Sequence, residues 1–418
     1  MPLSTLNKDA LMTILSWVPT EYLIPTALVC KVFALMCGDI FRNKNLYSYH
    51  ITNCATTSVP MLKWATQSMG WKPSKWWCET AAIQNKMVVL EWLRSKDPPC
   101  PWDTTTCARA AQFGHLALLQ WLRAQDPPCP WDESTCTWAA QNGQLAVLQW
   151  LRSQPSPCPW DELWGRTVCT SAVKYGHLVV VQWLRSQDPP CRWDESTCAS
   201  AAEHGHLALL QWLRSQDPPC PWNEVTCTAA AAANQLSLLQ WLRSQDPPCP
   251  WDRNACFCAA NNGHITVLQW LRSQDPPCPW DEQVCAAAAS QGQIDVLYWL
   301  RSQDPPCPWD DQSCNWAAED GQLTALMWLR AQDPPCPWND YILYHAAAGG
   351  QLDVLQWLRS QTPPCPWDQD ACTYAAENGH LVVLQWMRSQ HPPCPWDHAR
   401  CMEMSSGDTL AWVQSQYP

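Results

Sequence analysis

The sequence contains no uninterrupted apolar run of the roughly 18 residues that a membrane-crossing helix needs. It also lacks the signature of an export signal, because Lys8 and Asp9 interrupt the opening stretch "MPLSTLNKDALMTILSW". No membrane partner is therefore expected, the cytoplasm is the expected compartment with the nucleus still open, and the 26 cysteines are expected to be thiols. Basic residues are outnumbered as well. Against 38 Asp and Glu stand 26 Lys and Arg, a net charge of −12, which argues against a polyanion-binding surface and hence against a nucleic-acid partner. No Gly-rich phosphate loop and no nucleophile with a base and an orienting carboxylate stand out, so neither an enzyme nor a cofactor is expected.

What the sequence does contain is one pattern written many times. A cysteine followed by Pro-Trp or Arg-Trp recurs at Cys100, Cys129 and Cys158, and then from Cys191 every 29 residues to Cys394. Only the interval from 158 to 191 is longer, and its extra residues fall in "WDELWGRTVC". Within "CRWDESTCASAAEHGHLALLQWLRSQDPPCPW", the segment "ESTCASAAEH" predicts a short Ala-rich helix opened by Asp194, Ser196 or Thr197, whose oxygens can cap free N–H groups. Gly205 ends it, and the other units carry Gly or, at Asn85 and Asn234, Asn in that place, as a left-handed turn requires. A second helix follows in "HLALLQWLRSQ", with Leu207, Leu210, Trp212 and Leu213 spaced to crowd one side. "DPPCPW" ends it, because a residue before proline is pushed out of helical geometry.

Each unit is thus helix, turn, helix and stiff connector, with an apolar side that only a stacked neighbour can bury. The expected fold class is all-α: a helical solenoid of 29-residue repeats over residues 72–399, between a degenerate capping unit at 46–71 and a truncated one at 400–418. The pattern of Ala201, Ala202, Gly205, His206, Leu207 and Leu210 resembles the ankyrin repeat over roughly residues 70–400, with Cys198 where ankyrins carry the Leu of their "TPLH" motif. The units are shorter than the ankyrin length of about 33 residues, and the deficit lies in the connector, where ankyrins project a β-hairpin. Similar Cys-Pro-Trp arrays occur in large DNA viruses of amoebae, and for a viral protein the resemblance implies the host-cell cytoplasm.

Residues 1–45 have a different composition and no trace of the period. Leu6, Leu11, Ile14, Leu15, Leu23, Val29, Cys30, Lys31 and Phe33 resemble the F-box pattern, with Asn7 departing from its usual Pro. The resemblance implies docking on the Skp-family adaptor of a cullin ubiquitin ligase, with Leu6, Leu11, Ile14, Leu15, Leu23, Val29, Cys30 and Phe33 forming the contact. The alternative is that these helices merely cap the array.

Cysteines such as Cys220 and Cys227 do not have the spacing of a structural zinc site, and Gln144, Gln235, Gln293, Gln322 and Gln351 replace His206 in other units. No metal is expected, and the cysteines are assigned to buried packing. The tryptophan at a fixed place in the second helix, Trp121 to Trp386, is assigned to the core. Positions that vary between units are the candidate target-binding residues on the concave face: Gln112 and Phe113, Lys174 and Tyr175, Glu203 and His204, Glu319 and Asp320, Glu377 and Asn378. A looser variable position ahead of the Ala pair adds Arg109, Trp138 and Trp316. The expected function is a protein-interaction adaptor, a ubiquitin-ligase substrate receptor whose array binds the target. The alternative is an ankyrin-like scaffold or virion-associated protein with no ubiquitin role.

Overall fold

Within a repeat the boundaries follow from local chemistry. Asp252, in extended geometry, accepts a hydrogen bond from the backbone N–H of Asn254 (3.0 Å) and so opens the helix Arg253–Asn261. Gly263, with φ at +75°, turns the chain, and the helix Ile265–Arg272 follows. Proline cannot continue a helix, and the connector folds back so that the N–H of Cys278 reaches the Leu271 carbonyl at 3.0 Å. Asp194 likewise caps its helix, forming a reciprocal box with Thr197.

The computed structural model describes residues 56–68, 72–159, 162–188, 190–339, 341–368 and 370–416. The F-box-like segment, including Leu6, Leu11, Ile14, Leu15, Leu23, Val29, Cys30 and Phe33, lies outside them. Among the described residues there are 25 helices and no strand, so the protein is an all-α helical-repeat array. No helix among them is long and apolar enough to cross a membrane. Two compact units divide the chain at Trp193 and Asp194.

In the first unit, helix pairs run from Lys75–Ile83 with Met87–Arg94 to the pair ending at Leu178–Arg185, preceded by the single helix Val59–Ser68. In the second, pairs run from Glu195–Glu203 with Leu207–Arg214 to His398–Met404 with Gly407–Ser415. First helices pack on first helices of the neighbouring repeat. Their contact faces are made of small residues: Cys198, Ala201 and Ala202 are all fully buried, as are Cys256, Ala259 and Ala260. Such side chains let backbones approach closely and leave no room for a larger one. The second helix contributes the larger apolar payload, with Leu209, Leu210 and Leu213 buried; each is worth about 1.5–3 kcal/mol of transfer free energy.

This differs from the sequence expectation in two places. Leu209 belongs to the core face, whereas Leu207 is half-buried. The second-helix tryptophans, Trp212 and Trp241 among them, are also half-buried rather than core. The helix has three inward positions per two turns, and leucines take all of them, so the indole sits at the shoulder.

Candidate functional site

The repeated polar and aromatic residues are consumed by joining one repeat to the next. In the second unit, the Arg272 guanidinium lies 3.9 Å from the ring centroid of Trp280 and donates to the Cys278 carbonyl at 2.6 Å. The edge of Trp280 meets Trp299 of the next second helix, with centroids 6.1 Å apart and planes at 69°. The same three-part contact joins Arg243, Trp251 and Trp270, and in the first unit Arg123, Trp131 and Trp150. Sequence reasoning did not assign a role to this arginine. Its signal was present in the constant spacing of eight residues to the connector tryptophan, as from Arg272 to Trp280.

The cysteines are likewise structural. The Cys256 thiol points at the Cys278 carbonyl (3.9 Å), and the Cys278 thiol at the Asp252 carbonyl (3.3 Å), so the pair ties the connector to the start of the first helix. The hydrogen bond that the Cys256 thiol donates to Cys278, and then burial, push the Cys256 thiol far up from its ordinary range. All 23 described cysteines are free thiols, and all but Cys258 are buried. Burial, then the nearby Asp252 charge, raise the Cys258 thiol. Since the thiolate is the reactive form, Cys258 should be the first described cysteine to be alkylated in the native chain, and its rate should keep rising at pH values where a free thiol has already levelled off. Peptide mapping after brief alkylation across that range checks this; uniform early labelling of the other 22 would contradict the packing role. Among the described residues no group of three or more His, Cys, Asp and Glu is arranged to hold a metal ion.

The exchange of His for Gln after the turn also has a physical reason. His264 Nε2 reaches the Ala232 carbonyl at 3.0 Å, and Gln351 Nε2 donates to the Glu319 carbonyl at 3.0 Å. Either side chain presents one N–H to the end of the previous repeat's first helix, and that is all the position requires.

The varied residues are placed differently. Phe113 and Tyr175 are each 46% exposed, and Lys174, Glu203, Glu319, Asp320, Glu377 and Asn378 are exposed. Gln112 and His204 are half-buried, His204 stacking on His206 with centroids 6.2 Å apart. The position ahead of the Ala pair is half-buried and engaged: Arg109 pairs with Glu79 at 2.8 Å and lies 4.5 Å from the Trp138 ring centroid, and Trp316 meets Phe257 edge-on. The pairs closing each first helix are thus an exposed row of differing side chains within each unit, while Arg109, Trp138 and Trp316 are partly spent on neighbours.

A stack of helix pairs whose invariant residues face inward and whose varied residues face solvent defines the class: a helical-repeat scaffold. No protein-family model and no curated protein matches the chain. Among solved structures it is similar to the pentatricopeptide repeat protein PPR10 in complex with an 18-nt psaJ RNA element, at 14% identity and a TM-score of 0.36, covering 100% of this chain and 69% of that one. It is similar also to PPR10 from maize, at 14% identity and a TM-score of 0.35, covering 68% of that chain. The expectation of no nucleic-acid partner is withdrawn here, since the first of these neighbours is an RNA complex. Net charge is a sum over the whole chain, and it does not report the local surface that a repeat array presents.

Proposed function

We propose that the chain is an interaction adaptor in which the exposed row at the first-helix ends selects a macromolecular target. The observation that carries this is the division of labour just described: residues that repeat hold repeats together, while of the varied pairs Phe113, Lys174, Tyr175, Glu203, Glu319, Asp320, Glu377 and Asn378 are exposed. The second half of the proposal rests on the sequence alone. The F-box resemblance of residues 1–45 supports recruitment of a Skp-family adaptor and a cullin ligase, which would make the protein a substrate receptor.

Two variants of the full chain test the halves separately. Leu15→Asp with Leu23→Asp is expected to abolish co-precipitation of the adaptor, because a carboxylate desolvated in an apolar contact is costly. Adaptor binding unchanged in the folded double variant would remove the ligase role and leave a plain scaffold. Changing Lys174, Tyr175, Glu203 and His204 together to Ala is expected to weaken target capture and leave thermal unfolding nearly unaltered. If that variant unfolds instead, the row is structural.

A further inference from the structure

The first helix pair of the array departs from the repeat pattern at one spot. Ser74 holds the N-cap place of Lys75–Ile83, and the residue before it is Pro73, whereas Asp103, Asp132 and Asp252, which cap later first helices, follow Trp102, Trp131 and Trp251. Each of those connector tryptophans sets its indole against the second-helix tryptophan that follows it: Trp102 meets Trp121 at 6.4 Å and Trp131 meets Trp150 at 6.0 Å, both edge-on. Trp92 is the corresponding second-helix tryptophan of the first pair, and no ring meets it among the described residues. The arginine that clasps the connector indole elsewhere is missing too, since the preceding helix Val59–Ser68 contains none.

In the vacant place is a cavity of about 480 Å³, lined by Trp92, Pro73 and Pro98 and by two lysines, Lys72 and Lys96. Both lysines are themselves departures from the pattern. Lys72 stands where later units carry Pro101, Pro130 and Pro250, and Lys96 stands where they carry Gln125, which donates to the Trp121 carbonyl at 3.0 Å. The Lys96 ammonium lies instead 4.0 Å from the Trp92 ring centroid. Lys72 and Lys96 are exposed, and neither has an ion-pair partner among the described residues. Asp97 adds one carboxylate to the lining, so two positive charges face one negative charge in a chain whose net charge is −12. One substitution empties the place and two charge it, and local rules are broken chiefly where function requires it.

The later repeats show what fits the face of this tryptophan. At Trp131 and Trp251 it is an indole within Pro-Trp-Asp, a ring beside a carboxylate. We infer that the cavity docks a tryptophan on an acidic segment of a protein partner, its indole meeting Trp92 edge-on and its neighbouring carboxylates meeting Lys72 and Lys96. The site lies on the connector side of its repeat, whereas the varied row lies on the turn side, so this inference goes beyond the reading of that row.

The experiment uses the full chain and a fluorescein-labelled Gly/Ser peptide with a central Glu-Pro-Trp-Asp-Glu, followed by anisotropy, beside one peptide with Ala for Trp and another with amides for its carboxylates. The parent peptide should bind, and each altered peptide should bind about tenfold more weakly. Lys72→Gln with Lys96→Gln should weaken binding of the parent peptide about tenfold. Lys86→Gln with Arg253→Gln removes the same charge from exposed positions elsewhere and should leave affinity within about twofold. Pro73→Trp, which supplies the missing indole from the chain itself, should abolish binding while helical circular dichroism is retained. Equal weakening by both double variants would overturn the site, since it would show general charge attraction only. Binding unchanged in Pro73→Trp would also overturn it, and so would tighter binding of a short single-stranded RNA that Pro73→Trp abolishes. If the parent peptide binds no better than its Ala counterpart, the vacancy is only the end of the array, and target capture by the varied row stands untouched.

Discussion

Replacing Leu268 by Ala is expected to destabilise the second unit by about 2–5 kcal/mol, the range for truncating a buried leucine and leaving a cavity. Leu268 is fully buried between the two helices of its repeat. The small Ala and Cys residues opposite it have no side-chain length with which to fill the space. Trp270→Ala, two residues along, removes a larger side chain but a half-buried one, and its main loss is the edge contact with Trp251, so its cost should fall below that of Leu268→Ala despite the greater volume deleted. Because each repeat rests only on its neighbours, the damage should be local. Hydrogen exchange should show protection lost first in the Arg253–Asn261 and Ile265–Arg272 pair and the repeats beside it. Uniform loss across the unit, or a greater cost for Trp270→Ala, would reverse this account of which residue is core.

Gly263→Val is expected to cost about 1.5–3.5 kcal/mol, summed from two independent terms. A β-branched residue held at φ +75° is strained by about 1–2 kcal/mol. Its Cβ would also stand 2.6 Å from Oε1 of Gln293 in the next repeat, displacing the side chain that donates to the Asn261 carbonyl, and a lost hydrogen bond is worth about 0.5–1.5 kcal/mol. The chain carries its own control, since Asn85 and Asn234 occupy the same turn at φ of 55° and 58°. Gly263→Asn should therefore be tolerated far better than Val. Thermal unfolding of the two variants decides the matter: equal destabilisation would mean that the turn is not what limits this position.

The F-box-like pattern of residues 1–45 was read from the sequence alone, and the adaptor it would recruit is a proposal that rests on that resemblance. The all-α class, the helix pair within each period and the turn residue between its helices were read from the sequence as well. Those features depend on neighbours a few residues apart, on capping oxygens, on proline and on a left-handed turn, and such chemistry is written directly in order. The place of the varied pairs at the end of each first helix was also legible, but their exposure was decided by the structure, which leaves Gln112 and His204 half-buried.

Three further things were decided only by the tertiary structure. The second-helix tryptophan was placed in the core by its invariance, yet invariance marks any residue with a fixed partner. Its partners, the connector tryptophan and the arginine before it, are brought together only when the connector folds back. The exchange of His and Gln became intelligible only with the carbonyl of the preceding repeat in view. The close approach at Gly349 is the third: two small residues in an Ala-rich helix carry no signal in one dimension. It takes the stacking of one repeat on the next to press the Glu319 carbonyl against Gly349, where a Cβ would stand 1.8 Å from it, because contacts between repeats are set by packing distance and not by sequence separation.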